Sequence, residues 1–289
     1  MSARFLTVVL ERAFNMRDGF GREIDYMRIS VIDSCNLNCY YCNPCDNNEH
    51  CHALNILSVK EVLCIVRAAT RLGIKHFRLT GGEPLLHPQL DEMVLQIKKI
   101  PGVSSVSLTT NAVLLAQHAK WLKEAGIDSI NVSLDTIDAS EYERITKKPL
   151  LEEVKHGINA AIECGIRVKI NVVLTPQTDV VALTRYVAKK GTDIRFIEMM
   201  PVGEGHTNGV EPYKKVIGTL SKLYGEPCRI NTEKTKEINS GNDKRKIPDN
   251  GPAEYYIFPE LGIRVGLIQA IHGKFCDTCN RIRVTADGR

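Results

Sequence analysis

The chain has 289 residues, of which 43% are apolar and 25% charged, as in ordinary soluble globular proteins. Its formal net charge of +4 is too small to indicate nucleic-acid binding, but it suits an anionic small substrate if the positive charges converge. No apolar run reaches the roughly 20 residues that span a bilayer, and the N-terminus lacks a signal-peptide cleavage site. We therefore expect a cytoplasmic protein that binds neither membranes nor nucleic acid.

Between residues 25 and 200, short runs rich in Val, Ile and Thr alternate with amphipathic helical patterns. The first of these helices opens with a capping box, Ser58 followed by Glu61. Alternating strands and helices predict a parallel sheet with right-handed crossovers. Six such units indicate an α/β fold, a partial (βα)6 TIM-like barrel rather than a closed eight-stranded one. The predicted strands cover residues 26–32, 74–80, 103–109, 128–134, 167–174 and 192–200.

After residue 200 the pattern changes to one more helix, a polar stretch without periodicity, two antiparallel strands and a strand that carries Arg281 and Arg283. Because side chains alternate along a strand, these two arginines share one face. We therefore divide the chain into an N-terminal segment (1–24), the partial barrel (25–200) and a small C-terminal extension (201–289).

Polar residues follow the predicted strands where each strand ends. In parallel βα folds the active site lies at the carboxyl ends of the strands, so these residues are expected to share one site. They are the cysteines after the first strand, Gly81–Pro84, Thr109–Asn111, Ser133–Asp135 and Glu198–Met200, with Arg28, Arg78 and Lys169 inside strands.

Five of the ten cysteines lie in the stretch DSCNLNCYYCNPCDNNEHC, residues 33–51. The cytosol keeps thiols reduced, so clustered cysteines there indicate metal or redox chemistry. Cys39, Cys42 and Cys45 form the start of a ferredoxin-type run, but its fourth cysteine and proline are missing. A zinc site from Cys39, Cys42, Cys276 and Cys279 is a second alternative. The third is the C-x3-C-x2-C spacing of Cys35, Cys39 and Cys42, which agrees best with the polar residues after the other strands.

This spacing, with Tyr41 just before the last cysteine, resembles the signature of the radical S-adenosylmethionine (SAM) superfamily, and "GGEP" resembles its second motif. Further stretches resemble the GTP 3′,8-cyclases of molybdenum cofactor biosynthesis: "RISVIDSCNLNCYYC", "FRLTGGEPLL", "SLTTNA", "INVSLDTID", "RFIEMMPVGEGHTNG" and "FCDTCNRIRVTADG". The resemblance runs from about residue 20 to residue 289.

The resemblance implies a lyase that converts GTP to (8S)-3′,8-cyclo-7,8-dihydroguanosine 5′-triphosphate. A [4Fe–4S] cluster would bind SAM at an iron without a protein ligand, and reductive cleavage of SAM would start the reaction at the ribose 3′ carbon. A ferredoxin or flavodoxin would supply electrons, and a cyclic pyranopterin monophosphate synthase would act downstream. A homodimer is compatible with this family.

The resemblance also implies roles for individual residues. The catalytic cluster would be held by Cys35, Cys39 and Cys42. SAM would be lined by Tyr41, Gly82, Ser133 and Met200. GTP would be bound by Arg28, Arg78, Thr109, Lys169, Arg281 and Arg283, and cations suit a triphosphate. Cys276 and Cys279 would begin a second [4Fe–4S] cluster.

The sequence departs from the family in places. The third cysteine of the second cluster would come after Arg289, so this chain lacks it, and we hypothesise that Cys228 replaces it. Cys45 and Cys51 have no counterpart. The alternatives are therefore a radical SAM enzyme of the same build acting on a peptide or another small substrate, and an inactive truncated relative.

Overall fold

The structure is a computed structural model that describes residues 16–42, 56–200, 212–230, 252–273 and 279–289. Cys45, Cys51 and Cys276 lie outside these residues, as does the polar stretch that we predicted to be a loop. In the described ranges, no helix is long and apolar enough to cross a membrane.

Among the described residues, ten strands form one sheet in the order β10-β1-β2-β3-β4-β5-β6-β9-β8-β7. Neighbours from β10 to β9 are parallel, whereas β8 runs antiparallel to both β9 and β7. All six strands predicted for the barrel are present. The strands are β1 (Tyr26–Ser30), β2 (His76–Thr80), β3 (Ser105–Thr110), β4 (Ser129–Ser133), β5 (Val168–Leu174), β6 (Asp193–Glu198), β7 (Cys228–Ile230), β8 (Glu254–Ile257), β9 (Arg264–Ile268) and β10 (Arg281–Val284).

Seven α-helices connect or follow these strands in the described parts of the chain. They are α1 (Val59–Arg71), α2 (Leu90–Lys98), α3 (Leu115–Glu124), α4 (Ala139–Thr146), α5 (Leu151–Glu163), α6 (Val180–Lys189) and α7 (Pro212–Tyr224). The capping box is confirmed: Glu61 N donates to Ser58 Oγ at 3.3 Å, and Ser58 N donates to the Glu61 carboxylate at 2.8 Å. Pro88, a residue typical of a first helical turn, lies just before α2 and not within it.

The two faces of the sheet differ in chemistry because side chains alternate along each strand. One face packs against the helices through fully buried apolar residues such as Phe77, Leu108 and Ile130. The opposite face, called the inner face below, carries polar and charged side chains, among them Asn131 and Lys169. The fold is therefore an α/β partial barrel with an apolar outer layer and a polar interior.

The strands after residue 200 extend the same sheet at both ends. The antiparallel pair β8–β9 was predicted, and β9 adds to β6 in parallel. At the other end β10 pairs in parallel with β1, so that Arg28 lies beside Arg283. This second pairing is not visible in the sequence, because nothing local specifies which strand β10 joins.

Helix α4 is an element that the sequence pattern did not predict. Asp138 caps it by accepting a hydrogen bond from Glu141 N at 2.8 Å, and Lys147, with a φ of 60°, ends it in the left-handed conformation. An acidic N-cap followed three residues later by Glu is a helix-start signal. The helix is short and lies directly before α5, so this capping signal is the main evidence for it in the sequence.

Gly157 of α5 lies against the turn that follows β3. A Cβ atom at this position would lie 2.4 Å from the carbonyl oxygen of Ala112, a backbone atom that cannot rotate away. Ala112 itself has a φ of 65°, a conformation that side chains disfavour. The close approach of α5 therefore depends on a residue without a side chain.

We predict that Gly157→Ala lowers the free energy of unfolding by about 1–3 kcal/mol, because the added methyl forces α5 away from Ala112. Urea unfolding measures this. Gly218→Ala in α7 is the matched control, since a Cβ atom at that position would have no neighbour within 4 Å. The control should leave stability unchanged or raise it by up to about 1 kcal/mol, the ordinary gain of Ala over Gly in a helix. Equal effects of the two substitutions would contradict the prediction.

Candidate active site

The loop with the three cysteines is held on one side by the end of β2. Gly82 N donates to the Ile32 carbonyl and Glu83 N to the Ser34 carbonyl, both at 2.8 Å. A Cβ atom on Gly81 would lie 2.2 Å from the Ile32 oxygen, and one on Gly82 would lie 2.1 Å from the Ser34 oxygen. Both glycines are therefore required for the two backbones to meet.

The other side of the loop is held by α4. Asn38 N donates to the Thr146 carbonyl at 3.0 Å, and Tyr40 N donates to the Ile145 carbonyl at 3.1 Å. These carbonyls belong to the last turn of the helix, where backbone acceptors have no partner within the helix. This unpredicted helix thus positions Cys39, which lies between the two donors.

The thiols of Cys35, Cys39 and Cys42 lie close enough together to influence one another electrostatically. Burial, the largest cause, together with the nearby Asp135, Cys42 and Cys35 raises the pKa of Cys39 to about 12. Burial also raises the pKa of Cys35, with smaller contributions from Glu83 and Cys42. Thiolates are therefore disfavoured here unless a positively charged metal centre binds them.

This donor set fits an iron–sulfur cluster better than a single metal ion. Within the described ranges, no three His, Cys, Asp or Glu side chains are close enough together to hold one ion. A cubane cluster takes one thiolate per iron, so its ligands stand further apart than those of zinc. Three cysteines on one loop match three of its four irons.

Tyr41 is fixed by a buried acid. Its hydroxyl donates a short hydrogen bond to Asp135, which also accepts from Val173 N at 2.7 Å. Burial raises the pKa of Asp135 and the two hydrogen bonds lower it. Burial is the larger effect, so the resulting pKa is about 6. Asp135 thus holds the aromatic ring of Tyr41 beside the cysteines, a role that was not predicted from the sequence.

The other residues predicted to line SAM lie at the same edge of the sheet. Ser133 is the last residue of β4 and is exposed, and Met200 follows β6 with 53% of its surface accessible. Gly82 lies two residues after the end of β2. Because the strands are parallel, their carboxyl ends meet at one edge, so these residues lie along the same edge as the cysteine loop.

The predicted GTP cations converge on the inner face. Arg283, Arg28 and Arg78 lie side by side on β10, β1 and β2. Burial, the largest cause, together with the charges of Arg281, Arg78 and Arg283 lowers the pKa of Arg28 to about 10. Arg28 stays charged at neutral pH, and its buried Nε has no hydrogen-bond partner among the described residues. Such a cluster is suited to bind an anion with several negative charges.

Thr109 and Lys169 lie in a second row of the inner face, on either side of Asn131. Lys169 is buried, with its Nζ 5.8 Å from the centre of the Tyr255 ring. Asn131 is also buried, and neither polar atom of its amide has a hydrogen-bond partner in the part of the chain that the structure describes. Asn131 was not among the residues predicted for the site. Thr109 and Lys169, which were predicted, are its partners in strand register, and this pairing indicates that Asn131 belongs to the same site.

Cys279 precedes β10. Burial alone would raise its pKa, but hydrogen bonds from the backbone and side chain of Arg281, with the charges of Arg281 and Arg22, lower the pKa overall. A thiol of this kind is suited to bind a metal. Cys228 is exposed on β7, at the opposite end of the strand order from β10, which lends no support to its proposed ligand role.

A partial barrel with a C-x3-C-x2-C loop at the carboxyl edge is the arrangement of a radical SAM protein, and the profile of the radical SAM superfamily matches residues 29–183. The profile "Molybdenum Cofactor Synthesis C" matches residues 192–289. The chain is 37% identical over 276 residues to a GTP 3′,8-cyclase of Clostridium perfringens (strain SM101 / Type A), covering 94% of this chain and 81% of that protein. A GTP 3′,8-cyclase of Pelotomaculum thermopropionicum is 38% identical over 280 residues, with coverage of 94% and 82%. The chain belongs to the GTP 3′,8-cyclase family.

Solved structures agree on the fold. Methylornithine synthase (PylB) superposes with a TM-score of 0.56 at 16% identity, covering 78% of this chain and 70% of that one. Streptococcus suis SuiB bound to S-adenosylmethionine has a TM-score of 0.56 at 17% identity, covering 69% of this chain and 47% of that one. The TIM-like partial barrel is therefore confirmed.

We predict that Tyr41→Phe destabilises the iron-free chain more at pH 8 than at pH 5. Asp135 has a folded pKa raised to about 6 from 3.8, so the stability contributed by its protonated form is lost as pH rises through about 6. Removing the Tyr41 hydroxyl, which lowers this pKa, leaves a buried charge with one donor fewer. Urea unfolding at pH 8 should show a loss of about 1–3 kcal/mol, with a smaller loss at pH 5.

The neighbouring Tyr40→Phe is the control. The Tyr40 ring lies 5.5 Å from the Arg144 guanidinium, a contact that phenylalanine retains, and the hydrogen bond that phenylalanine loses is to the exposed Arg144 and not to a buried acid. Its loss of stability should be small and independent of pH over this range. A pH-independent effect of Tyr41→Phe would show that Asp135 is not the group responsible.

Proposed function

We propose that this chain is a radical SAM lyase that converts GTP to (8S)-3′,8-cyclo-7,8-dihydroguanosine 5′-triphosphate, the first step of molybdenum cofactor biosynthesis. The observation that carries the proposal is the course of β1. This strand places Arg28 in the arginine cluster of the inner face and then leads directly into Cys35. The anion site and the cysteine loop are thereby joined by one short segment.

Cys35, Cys39 and Cys42 would hold the [4Fe–4S] cluster, and Tyr41, Gly82, Ser133 and Met200 would line SAM. When bound, the cluster and SAM would supply the one-electron chemistry that starts the reaction at the ribose 3′ carbon of GTP. Asp135 holds the Tyr41 ring in place through its hydroxyl. The backbone contacts of Gly82 and Glu83 keep the cysteine loop at the edge of the sheet.

The cations of the inner face would bind the nucleotide. Four guanidinium groups lie close together here and repel one another until an anion binds: those of Arg28, Arg78, Arg281 and Arg283. The lowered pKa of Arg28 reflects this repulsion. Lys169 and Thr109 lie in the next row and would contact the same ligand. A triphosphate satisfies both the charge and the buried donor of Arg28.

Cys276 and Cys279 would contribute to a second [4Fe–4S] cluster near the nucleotide. The support is the lowered pKa of Cys279 and its hydrogen bonds from Arg281, which is itself a proposed GTP residue. The electron donor would be a ferredoxin or flavodoxin, and a cyclic pyranopterin monophosphate synthase would take the product. A cytoplasmic homodimer and the chain divisions at residues 24 and 200 belong to the same proposal.

We expect about eight irons per chain after anaerobic reconstitution, since each cubane cluster contributes four. With SAM and dithionite, 5′-deoxyadenosine should form only when GTP is present. The double variant Cys276→Ala/Cys279→Ala should retain about four irons. The control Cys64→Ala, at an exposed position of α1, should match the parent chain. Four irons in the parent with SAM cleavage independent of GTP would contradict the proposal and favour another substrate.

We predict that Arg28→Ala raises the Kd for GTP roughly 10- to 100-fold, the loss of one charge-assisted hydrogen-bonding group. Isothermal titration without SAM would measure it. Guanosine, which lacks the phosphates, should bind the variant and the parent alike. The control Arg185→Ala removes an exposed arginine bonded to Tyr224 and should leave the Kd unchanged. Equal losses for GTP and guanosine would show that Arg28 does not bind the phosphates.

A further inference from the structure

We propose that Asn111 donates a hydrogen bond to the cluster ligand Cys35 and thereby raises the reduction potential of the SAM-binding cluster. Asn111 Nδ2 lies 3.8 Å from Cys35 Sγ and 2.7 Å from Asn36 Oδ1. Leu37 N is a second donor to the same sulfur, at 3.5 Å. This inference rests on the proposed role of Cys35 as a cluster ligand.

The orientation of the Asn111 amide follows from its own turn. Its Oδ1 accepts a hydrogen bond from Val113 N at 3.0 Å, two residues further along. This Asx turn fixes which end of the amide carries the oxygen. The NH2 group must therefore face the cysteine loop, and its two hydrogens are enough for both Asn36 and Cys35.

The backbone of Asn111 is held by a buried acid that the proposed mechanism does not otherwise use. Glu83 is 1% exposed, and its carboxylate accepts from Asn111 N and Thr110 Oγ1, both at 2.7 Å, and from Leu85 N at 3.0 Å. Three donors satisfy a carboxylate that could not otherwise remain buried. Because Glu83 N also donates to the Ser34 carbonyl, one residue fixes both Asn111 and the backbone before Cys35.

The physical effect has a definite sign. Reducing the cluster adds negative charge that spreads onto its sulfur ligands. An N–H dipole that points at such a sulfur stabilises the reduced form more than the oxidised form, and hydrogen bonds to the sulfurs are among the factors that set cluster potentials. Losing the Asn111 donor should therefore make the cluster harder to reduce.

The test uses the full chain with Cys276→Ser and Cys279→Ser, so that only the first cluster contributes to the signal. Asn111→Ser is the principal variant, because a serine can keep the turn with Val113 N but is too short to reach Cys35. Potentiometric titration without SAM or GTP, followed by electron paramagnetic resonance, should show a more negative midpoint. We expect about a tenfold lower ratio of reduced to oxidised cluster at fixed potential, or about 59 mV for a one-electron couple.

Asn36→Ala is the matched control, since it removes the other acceptor of the Asn111 amide and leaves the donor to Cys35 in place. Its midpoint should be unchanged or slightly more positive. If the serine variant binds too little iron, the titration is repeated with Asn111→Leu, which loses both the donor and the turn. Its midpoint should also be more negative than that of the parent. A parent-like midpoint in Asn111→Ser would overturn the inference, even if SAM binds more weakly. The result is independent of GTP turnover, so it fails or succeeds separately from the proposed lyase activity.

Discussion

The structure depends on the close contact between two backbones at the carboxyl edge of the sheet. Gly81 and Gly82 bring the end of β2 against the carbonyls of Ile32 and Ser34, at distances that no side chain would permit. This contact fixes where the cysteine loop leaves the sheet. The loop in turn determines where Tyr41 meets Asp135 and where Cys35 meets Asn111. A pair of residues without side chains thus sets the geometry of groups that carry the chemistry.

The inner face illustrates the energetic cost of bringing several arginine side chains together. Burying several guanidinium groups together is unfavourable, because burial and like charges both disfavour the charged form. The fold offsets part of this cost with local partners: Arg78 donates to Ser107 Oγ at 3.0 Å, and Arg195 donates to Asn171 Oδ1 at 2.9 Å. Arg28 Nε is left without such a partner. The electrostatic repulsion that remains would be relieved by a bound anion, and this relief would favour binding.

Much of the fold could be predicted because its signals are local. The six strands of the barrel, the capping box at Ser58 and the polar residues at strand ends all follow from periodicity and composition. The partner of β10 could not be predicted, because parallel pairing between distant segments leaves no local pattern. Helix α4 was also missed, since its single strong signal, Asp138 with Glu141, lies in a short polar segment. The roles of Asn131 and Glu83 can be recognised only when their neighbours on other strands are known.

The pairing of β1 with β10 has a consequence for how the molecule folds. Asn280 Nδ2 donates to Asp25 Oδ1 at 2.6 Å, a hydrogen bond between residues 255 positions apart in the chain. Contacts at such separation carry a large entropic cost, because a long loop must be closed to form them. Since β10 carries Arg281 and Arg283, the arginine cluster of the inner face is complete only when this pairing has formed. A polyanion that bridges β1 and β10 would bind the folded chain and not the unfolded one, so its concentration would help to set the stability of this long-range pairing.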